Sequence, residues 1–324
     1  MNVLLTGGCG FIGSNLIPSL LNHPKVSKLI VLDNLSTGKI VNIHPYIGLD
    51  KFTFIEGDIR NKELCMQLCR NIDLVSHQAA LGSVPRSVID PITTNDNNIT
   101  GFLNMLVSAK ENNAKRFVFA ASSSTYGDSK TLPKTEDTIG KPLSPYAVTK
   151  YVNELYAEVF SKVYGLQFIG LRYFNVFGPN QDPESSYAAV IPLFCKLILE
   201  GKNIPINGDG SISRDFTFVE NVVNMNIRAL FSDNAEAVDN IYNVACGKSY
   251  SIKYMAEKLI ELAEADVSLN YGPERKGDIA HSLADITKAK NLLNYSPIVH
   301  FEEGLKRTFE YYQKKLKPAE VHSR

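Results

Sequence analysis

The chain has 324 residues, 44% of them hydrophobic, which is enough to bury a large core as one domain or two coupled ones. Lysine plus arginine and aspartate plus glutamate number 34 each, so the formal net charge is zero. This balance argues against a nucleic-acid or membrane-surface protein, since both usually carry a basic excess, and an anionic ligand would need local cations.

In the N-terminal half, short apolar runs alternate with helix-like segments. The apolar runs predict strands at Val3–Leu5, Leu29–Leu32, Phe52–Ile55, Leu74–Ser76, Phe117–Ala120 and Phe168–Leu171. The segments between them predict helices near Ser14–Leu21, Lys62–Cys69, Ile99–Glu111 and Pro145–Tyr164. Continuous apolar runs are typical of parallel strands covered on both faces. The predicted fold class is therefore α/β, a doubly wound parallel sheet of the Rossmann type.

Beyond Pro179 the pattern becomes irregular, with more proline, glycine and asparagine. A strand predicted at Asn240–Val244 is expected to return to the sheet, and helices follow at Ile252–Ala265 and Ile286–Leu293. We expect a smaller C-terminal substrate-binding domain over the carboxyl edge of the sheet. The expected bounds are 1–178 for the cofactor domain, with a returning strand near 221–247, and 179–220 with 248–324 for the substrate domain.

The five cysteines predict reduced thiols in a cytoplasmic protein, because an odd number does not form a paired disulfide framework. Cys65 and Cys69 have helical i, i+4 spacing and no second Cys/His cluster nearby, so we expect half-buried helix residues and no metal site. The run Met1–Leu5 lacks the basic residues of a signal peptide, and no apolar stretch approaches the length of a membrane span.

A glycine-rich turn follows the first strand directly and opens the first helix, in the run Gly7-Gly8-Cys9-Gly10-Phe11-Ile12-Gly13. Gly7, Gly10 and Gly13 permit a tight turn and close approach of the backbone to a pyrophosphate, which the helix N-terminus would stabilise. Asp33 ends the second strand, where a dinucleotide-binding fingerprint places an acid that binds the ribose hydroxyls. Its charge would repel a 2′-phosphate, so the motif predicts NAD over NADP; the alternative for Asp33 is a strand-end turn former.

Asp58 and Ile59, after the third strand, support two interpretations equally. They either contact the adenine of the cofactor or simply cap the helix that follows.

The helix from Pro145 has defined ends. Ser144 is a suitable N-cap, Pro145 suits the first helical position, and Gly165 suits the C-terminal stop. Tyr146 and Lys150, four residues apart, lie on one face of this helix.

The serines Ser122-Ser123-Ser124 follow an apolar run, at the sheet edge where doubly wound folds bind ligands. A free tyrosine titrates near pKa 10, and lowering that pKa to about 7 needs about 4 kcal/mol. Lys150 and a positive nicotinamide ring would both favour the phenolate of Tyr146. The phenolate would take a proton from a sugar hydroxyl held by Ser122, while the adjacent carbon gives hydride to NAD.

The glycine turn, Asp33, the serine triplet and the Tyr146/Lys150 pair together resemble the extended short-chain dehydrogenase/reductases over nearly the whole chain. Three segments resemble more narrowly the bacterial UDP-N-acetylglucosamine 4-epimerases of surface-polysaccharide pathways such as O-antigen synthesis: His77–Ser87, Ala121–Asp128 and Leu171–Gly178. The resemblance implies reversible C4 epimerisation of UDP-N-acetylhexosamines, or their uronates, through a 4-keto sugar. It also implies a homodimer formed through the helices Ile99–Glu111 and Pro145–Tyr164.

The resemblance further implies individual roles. The catalytic residues would be Ser122, Ser123, Tyr146 and Lys150. NAD would contact Gly7, Gly10, Phe11, Ile12, Gly13, Asp33, Asn34, Ser36, Thr37, Gly38, Asp58, Ile59, Gln78, Ala79, Ala80, Asn97, Tyr146, Lys150 and Tyr173. The UDP-sugar would contact Gly82, Ser83, Ser122, Ser123, Ser124, Tyr146, Asn175, Ala189, Val190, Asn207, Arg214, Arg275, Asp278 and Ser282. In this set the two arginines would neutralise the diphosphate, since a guanidinium fork suits phosphate geometry.

Several alternatives stay open at this stage. Arg214 and Arg275 could be ordinary surface ion pairs with Asp215 and Asp278. Ser282 stands where some galactose-type epimerases carry a tyrosine, and Gly82 where they often carry a lysine. Both smaller residues would make room for an N-acetyl group, but Ser282 could instead cap the helix predicted near Ile286.

Two other functions compete with epimerisation. A dehydratase or decarboxylase on the same fold would typically carry Asp-Glu after the strand-end serine, whereas this chain has Ser123-Ser124-Thr125. A non-catalytic NAD-binding sensor would often lack the tyrosine and lysine that are present here.

Overall fold

The computed structural model describes residues 1–184, 188–274 and 280–316. The strands are β1 (Asn2–Thr6), β2 (Lys28–Asp33), β3 (Phe52–Glu56), β4 (Leu74–His77), β5 (Arg116–Ser122), β6 (Phe168–Tyr173), β7 (Val176–Phe177), β8 (Ile204–Asn207), β9 (Ser213–Arg214), β10 (Thr217–Phe218), β11 (Asn240–Val244), β12 (Tyr250–Ser251) and β13 (Leu269–Gly272). The α-helices are α1 (Phe11–Leu21), α2 (Lys62–Leu68), α3 (Val84–Ile89), α4 (Pro91–Asn95), α5 (Phe102–Glu111), α6 (Pro145–Tyr164), α7 (Val190–Leu199), α8 (Val219–Phe231), α9 (Ile252–Ala263), α10 (Thr287–Leu293) and α11 (Phe301–Leu316).

Seven of the described strands form one parallel sheet in the order β3-β2-β1-β4-β5-β6-β11. The chain runs outward from β1 to β3 and then resumes on the other side of β1 with β4, so the strand order reverses between β1 and β4. Ligands of doubly wound sheets bind at such a switch point. The structure confirms the predicted fold class, the six N-terminal strands and the return of Asn240–Val244 beside β6.

Alternating side chains of the strands pack against two layers of helices, one on each face of the sheet. In β1, Val3 and Leu5 pack with α1 and α8, while Leu4 points to the opposite face and packs with α2, α5 and α6. These side chains are completely buried. Burial on both faces explains why the strands are continuously apolar instead of alternating.

The chain beyond Pro179 is more regular than the sequence predicts, because it contains α7 and α8. Helix α8 covers the sheet, yet two of its fully buried positions are Asn221 and Asn226. Polar residues on the buried face interrupt the apolar stripe by which an amphipathic helix is recognised. A separate cluster of buried aromatic and aliphatic side chains, including Phe177 and Phe301, joins α7, α9 and α11.

Helix α6 has the ends that the sequence predicts. The Ser144 Oγ accepts a hydrogen bond from the Ala147 amide at 3.1 Å, Pro145 is the first helical residue, and Gly165 ends the helix with a φ of +71°. A left-handed residue at this position is the common way to stop a helix.

The half-buried positions predicted for Cys65 and Cys69 were wrong, because both side chains are completely buried against the sheet. In the described part of the chain, no helix is both long enough and apolar enough to cross a membrane.

Candidate active site

A cleft opens at the switch point of the sheet and collects most of the residues predicted to bind NAD. Its lining includes Gly7, Gly10, Phe11, Ile12, Gly13, Asp33, Asn34, Ser36, Thr37, Ile59, Gln78, Ala79, Ala80, Asn97, Tyr146, Lys150 and Tyr173. Gly38 and Asp58 are not part of this lining. Gly38 instead packs behind it, where an added Cβ would lie 2.9 Å from the Asp33 Oδ1.

The glycine turn at the floor of the cleft is fixed by backbone packing. Gly7 has a φ of +70°, and an added Cβ would lie 2.6 Å from the Ala79 nitrogen. A Cβ on Gly13 would lie 2.2 Å from the Gly7 carbonyl oxygen. The N-cap of α1 is Gly10, which offers no side-chain oxygen to the first amides of the helix. This cradle fits a dinucleotide, because those amides can bind its pyrophosphate.

Asp33 orders the turn at the end of its strand and also lines the cleft. Its Oδ1 accepts the Leu35 amide at 2.8 Å and its Oδ2 accepts the Cys9 amide at 2.9 Å, so the carboxylate orders the turn beside the glycines. Burial raises the pKa of Asp33, and these two amides oppose the rise. The same carboxylate lines the cleft, where a ribose would lie in this fold.

The capping role considered for Asp58 was wrong, because Asn61 is the N-cap of α2 and accepts the Leu64 amide. Asp58 forms a bidentate pair with the Arg60 guanidinium at 2.7 and 3.0 Å and also accepts from the Asn34 amide group at 2.8 Å. The hydrogen bond from Arg60 lowers the pKa of Asp58 to about 2.

Tyr146 and Lys150 meet inside the cleft, as their helical spacing predicts. The Lys150 Nζ donates to the Ala120 carbonyl at 2.7 Å and lies 6.0 Å from the centre of the Tyr146 ring. Burial lowers the pKa of Lys150 to about 8, and the charge of Glu154 opposes that change. Burial raises the pKa of Tyr146, and its hydrogen bond with Ser122 acts the other way.

The serine triplet forms a 3₁₀ turn at the end of β5. Ser122 Oγ accepts from the Ser124 hydroxyl at 2.8 Å and from the Ser124 amide at 3.2 Å. Because these bonds occupy lone pairs, the Ser122 hydroxyl can direct its own proton toward Tyr146 or toward a ligand oxygen.

Three cavities meet at Asn175. The NAD cleft and two further cavities, named the sugar-side cavity (beside Ser122) and the nucleotide-side cavity after the ligand parts predicted from sequence, all include this residue in their lining. The sugar-side cavity contains Ser122, Ser123, Ser124, Arg214 and Ser282. The nucleotide-side cavity contains Ala189, Val190, Asn207 and Arg214. Gly82 lies on the NAD cleft. Apart from Ser83, Arg275 and Asp278, the predicted substrate residues therefore line three cavities that share Asn175.

Ser282 does not cap a helix. Helix α10 begins at Thr287, whose amide bonds to the Asp285 Oδ1 at 2.7 Å, so the capping alternative was wrong. The Ser282 Oγ instead accepts from the Asn175 amide group at 3.3 Å, on the wall of the sugar-side cavity. Asn175 has a φ of +37°, a strained conformation for a residue with a side chain.

Asp215 is not the surface partner considered for Arg214, because it is completely buried. Its carboxylate accepts the amides of Cys246, Gly247 and Ala284 at 2.9 to 3.3 Å. Burial raises the pKa of Asp215 to about 6, against the effect of these amides.

Arg214 donates to the carbonyls of Ser213 and Ala280 and borders both substrate cavities. Arg275 and Asp278 lie outside the described residues. Ser83 lines none of the three cavities, since its Oγ accepts the Arg86 amide and caps α3.

Sequence reasoning missed several contacts that support this site from behind. Asn98 binds both backbone groups of Leu81 and donates to Thr149 Oγ1 on α6, from a turn of π-helix at Asp96–Gly101. Asn226 on α8 and Gln78 hold the Tyr173 hydroxyl at 2.9 to 3.2 Å. No spacing rule marks these contacts, because they join distant segments.

A buried ion pair was also missed. Glu154 and Arg172 form two hydrogen bonds of 2.9 and 2.7 Å, with side chains only 3% and 4% exposed. Glu154 lies one helical turn beyond Lys150, a spacing that could have suggested its influence on Lys150 but not its ion pair with Arg172 on β6.

Comparison with known proteins agrees with this geometry. Residues 3–245 match the model of the NAD dependent epimerase/dehydratase family. The chain belongs to that family. Membership of this family confirms the NAD cofactor and the Rossmann-type fold that were predicted from sequence.

Individual members of the NAD dependent epimerase/dehydratase family match almost end to end. A putative UDP-glucose 4-epimerase of Methanocaldococcus jannaschii is 34% identical, over 95% of this chain and 97% of that protein. A UDP-glucose 4-epimerase structure from Thermotoga maritima with UDP-glucose has a TM-score of 0.91 and 36% identity, covering 98% of this chain and 100% of that one. A UDP-N-acetylglucosamine 4-epimerase from Methanobrevibacter ruminantium, in complex with UDP-N-acetylmuramic acid, has a TM-score of 0.91 and 40% identity, with 97% and 98% covered. These likenesses place the chain among the UDP-sugar 4-epimerases of the family.

Proposed function

We propose that the protein interconverts UDP-N-acetylglucosamine and UDP-N-acetylgalactosamine, or their uronates, by inverting C4. The observation that carries the proposal is the meeting of Ser122, Tyr146 and Lys150 with a sugar-side cavity that has small residues on its wall. An added Cβ on Gly82, at the NAD cleft, would meet nothing within 4 Å, and Ser282 gives the sugar-side cavity only a serine side chain. This open space suits an acetamido group.

The residues of the site divide the chemistry between them. The cleft lined by Gly7, Asp33 and Tyr146 would hold NAD, which would supply a two-electron acceptor and a positive charge there. Tyr146, once deprotonated, accepts the proton of the C4 hydroxyl, and Ser122 holds that oxygen by a hydrogen bond. Lys150 stabilises the phenolate electrostatically, because its ammonium is buried beside the ring. Arg214 holds the diphosphate while the sugar turns over between the two faces.

Elimination chemistry is disfavoured by the residues after Ser122. Thr125 is completely buried and contacts Glu154, and Ser123 and Ser124 face the sugar-side cavity without a carboxylate among them. A purely regulatory NAD-binding protein would have no need of the assembled Ser122, Tyr146 and Lys150.

Proton NMR of purified protein with UDP-N-acetylglucosamine tests the proposal. We expect the anomeric signal of UDP-N-acetylgalactosamine to appear, and added uronate substrates extend the panel. A 4-keto-6-deoxy product would instead identify a dehydratase, and a lack of turnover of every UDP-sugar would contradict the proposal.

We also propose a homodimer. The outer face of α6, one of the two helices predicted at the interface, exposes Val148, Leu155, Val159 and Val163, and Ile92 of α4, outside the predicted Ile99–Glu111 segment, is exposed too. Exposed apolar stripes of this kind mark protein interfaces. Val159→Asp is expected to convert the dimer to a monomer in sedimentation equilibrium, whereas the solvent-facing Lys130→Met is expected to leave the mass unchanged.

A further inference from the structure

Three side chains behind the NAD cleft form a closed set of hydrogen bonds, named here the Tyr173 network. The Tyr173 hydroxyl donates to Gln78 Oε1 at 3.0 Å, the Gln78 amide group donates to Asn226 Oδ1 at 3.0 Å, and the Asn226 amide group donates back to the Tyr173 hydroxyl at 2.9 Å. The Asn226 amide group also donates to the Val222 carbonyl at 2.8 Å, and because a carbonyl only accepts, this bond fixes which way the amide faces. Each polar group of the network is therefore partnered.

The Tyr173 network joins two parts of the cleft. Gln78 packs against the glycine turn, since its carbonyl carbon would lie 2.9 Å from an added Cβ on Gly7. Tyr173 ends β6, where it pairs in register with Ser122 at the chemical end of the cleft. Gln78 and Tyr173 both line the cleft, whereas Asn226 is completely buried and is not part of that lining. Asn226 can therefore influence bound NAD only through the other two side chains.

Packing alone does not account for these buried polar groups. Apolar side chains of similar shape could fill the same space with little loss of stability, because no amide would then have to leave water. A fully partnered buried network instead holds its members in one geometry. Burial also raises the pKa of Tyr173, so its hydroxyl serves as a hydrogen-bond donor and not as a base. The network therefore fixes the position of the Tyr173 ring, which is 8% exposed, on the wall of the cleft.

We propose that Asn226 is a positioning residue for the nicotinamide end of NAD and that it acts through Tyr173 and Gln78. The glycine turn and Asp33 hold the pyrophosphate and the adenosine, and the Tyr173 network fixes the wall at the other end. A UDP-sugar 4-epimerase needs this restraint, because the hydride taken from C4 has to be returned to C4 from the same cofactor. The inference rests on the NAD cofactor and not on the choice of sugar, so it stands or falls separately from the proposed function.

Displacement of NAD by ADP-ribose tests this role without any turnover. ADP-ribose keeps the adenosine, the pyrophosphate and the second ribose of NAD but lacks the nicotinamide, so the ratio of the two affinities reports on the nicotinamide end. NAD-loaded protein is brought to equilibrium with increasing ADP-ribose, and the released NAD is quantified after ultrafiltration. Asn226→Leu is expected to lower the ratio of NAD affinity to ADP-ribose affinity by about tenfold, on the scale of one lost hydrogen bond.

Two further variants separate positioning from simple destabilisation. Asn221→Leu removes another completely buried asparagine of α8, one that bonds to Ile298 and Val299 and lies outside the lining of the cleft. It is expected to lower the thermal stability without changing the affinity ratio. Tyr173→Phe keeps the aromatic ring and removes the hydroxyl, so it is expected to lower the ratio as Asn226→Leu does, and combining the two substitutions should add little.

The affinity ratio of folded Asn226→Leu protein decides the role of Asn226. A ratio at the wild-type value, including an equal loss of both affinities, would overturn the inference, because Asn226 would then only support the fold. A wild-type protein that binds ADP-ribose as tightly as NAD would overturn it too. If Asn226→Leu does not fold, Tyr173→Phe decides in its place, and an unchanged ratio in that variant overturns the inference.

Discussion

The two walls of the active site are built in different ways. The NAD wall is made of short contiguous motifs at strand ends, and its decisive contacts are backbone contacts, as at Gly7 and Gly13. The sugar wall is assembled from segments far apart in the chain, with Asn175, Arg214 and Ser282 brought together by side-chain bonds. A backbone cradle therefore shows in a short stretch of sequence, whereas an assembled wall depends on contacts between distant segments.

Asp215 shows how the assembled wall is held. Its one carboxylate binds the loop after β11 and the segment that carries Ser282, while its carbonyl accepts from Asn175. Geometry on the sugar side therefore depends on a residue that lines none of the three cavities that meet at Asn175. The four predictions below test whether the two walls act separately.

Tyr146→Phe is expected to have the largest effect, since it removes the proton acceptor shared by both walls. Turnover should fall by roughly 10²–10⁴-fold, the usual contribution of a positioned acid or base. Bound NAD, released from the denatured protein and quantified by its absorbance, should stay at the wild-type level. Near-normal turnover would remove Tyr146 from the proposed chemistry.

Ser282→Tyr tests the sugar wall alone. Overfilling a tight site costs about 1–3 kcal/mol, or roughly one to two decades in kcat/KM for the acetylated sugars. UDP-glucose and UDP-galactose should lose little, and NAD content should not change. If the ratio of kcat/KM for the two substrate classes is the same before and after the substitution, Ser282 does not gate the sugar.

Asp33→Asn tests the NAD wall alone. Losing hydrogen bonds to a charged group costs about 1.5–3 kcal/mol, so NAD should bind about ten- to hundredfold more weakly. The variant protein should also discriminate less strongly against NADP. Titration of apoprotein with each dinucleotide measures both effects. If the variant still discriminates against NADP as strongly as the wild type, another residue binds the ribose.

Glu154→Gln is expected to have the smallest effect on turnover, because it acts through Lys150. The charge of Glu154 raises the pKa of Lys150, which stands at about 8, and activity requires the protonated ammonium. Activity should therefore fall as pH rises through that value, and the substitution should move this limb to lower pH. Leaving Arg172 unpaired should also lower the thermal stability.

The pH profile of kcat separates the effect of Glu154 on the pKa of Lys150 from its effect on stability. A purely structural role would lower kcat at every pH without shifting the pH at which activity falls. Glu158→Gln, one turn further along α6 and half-exposed, is the matched control and should leave the limb in place.

Sequence alone predicts the parts of this molecule that repeat a local pattern. The continuous apolar strands, the glycine turn and the ends of α6 each follow from neighbouring residues, and the structure confirms them. Helix α8 was not predicted because Asn221 and Asn226 are buried for their hydrogen bonds to distant segments. The roles of Asn98 and Asp215 were missed for the same reason, because a hydrogen bond between distant segments produces no periodic pattern in the sequence.

The turn of π-helix at Asp96–Gly101 has a consequence for changes in chain length. It joins α4 to α5 without a break, so Pro91–Glu111 runs as one helix with one wide turn. Removing a single residue there would restore α-helical bonding, yet it would rotate the preceding half by about 100° relative to the rest. Asn98 would then lose either Leu81 or Thr149. This stretch should accept substitutions at its exposed positions but not a one-residue deletion, although loops elsewhere on the surface tolerate both.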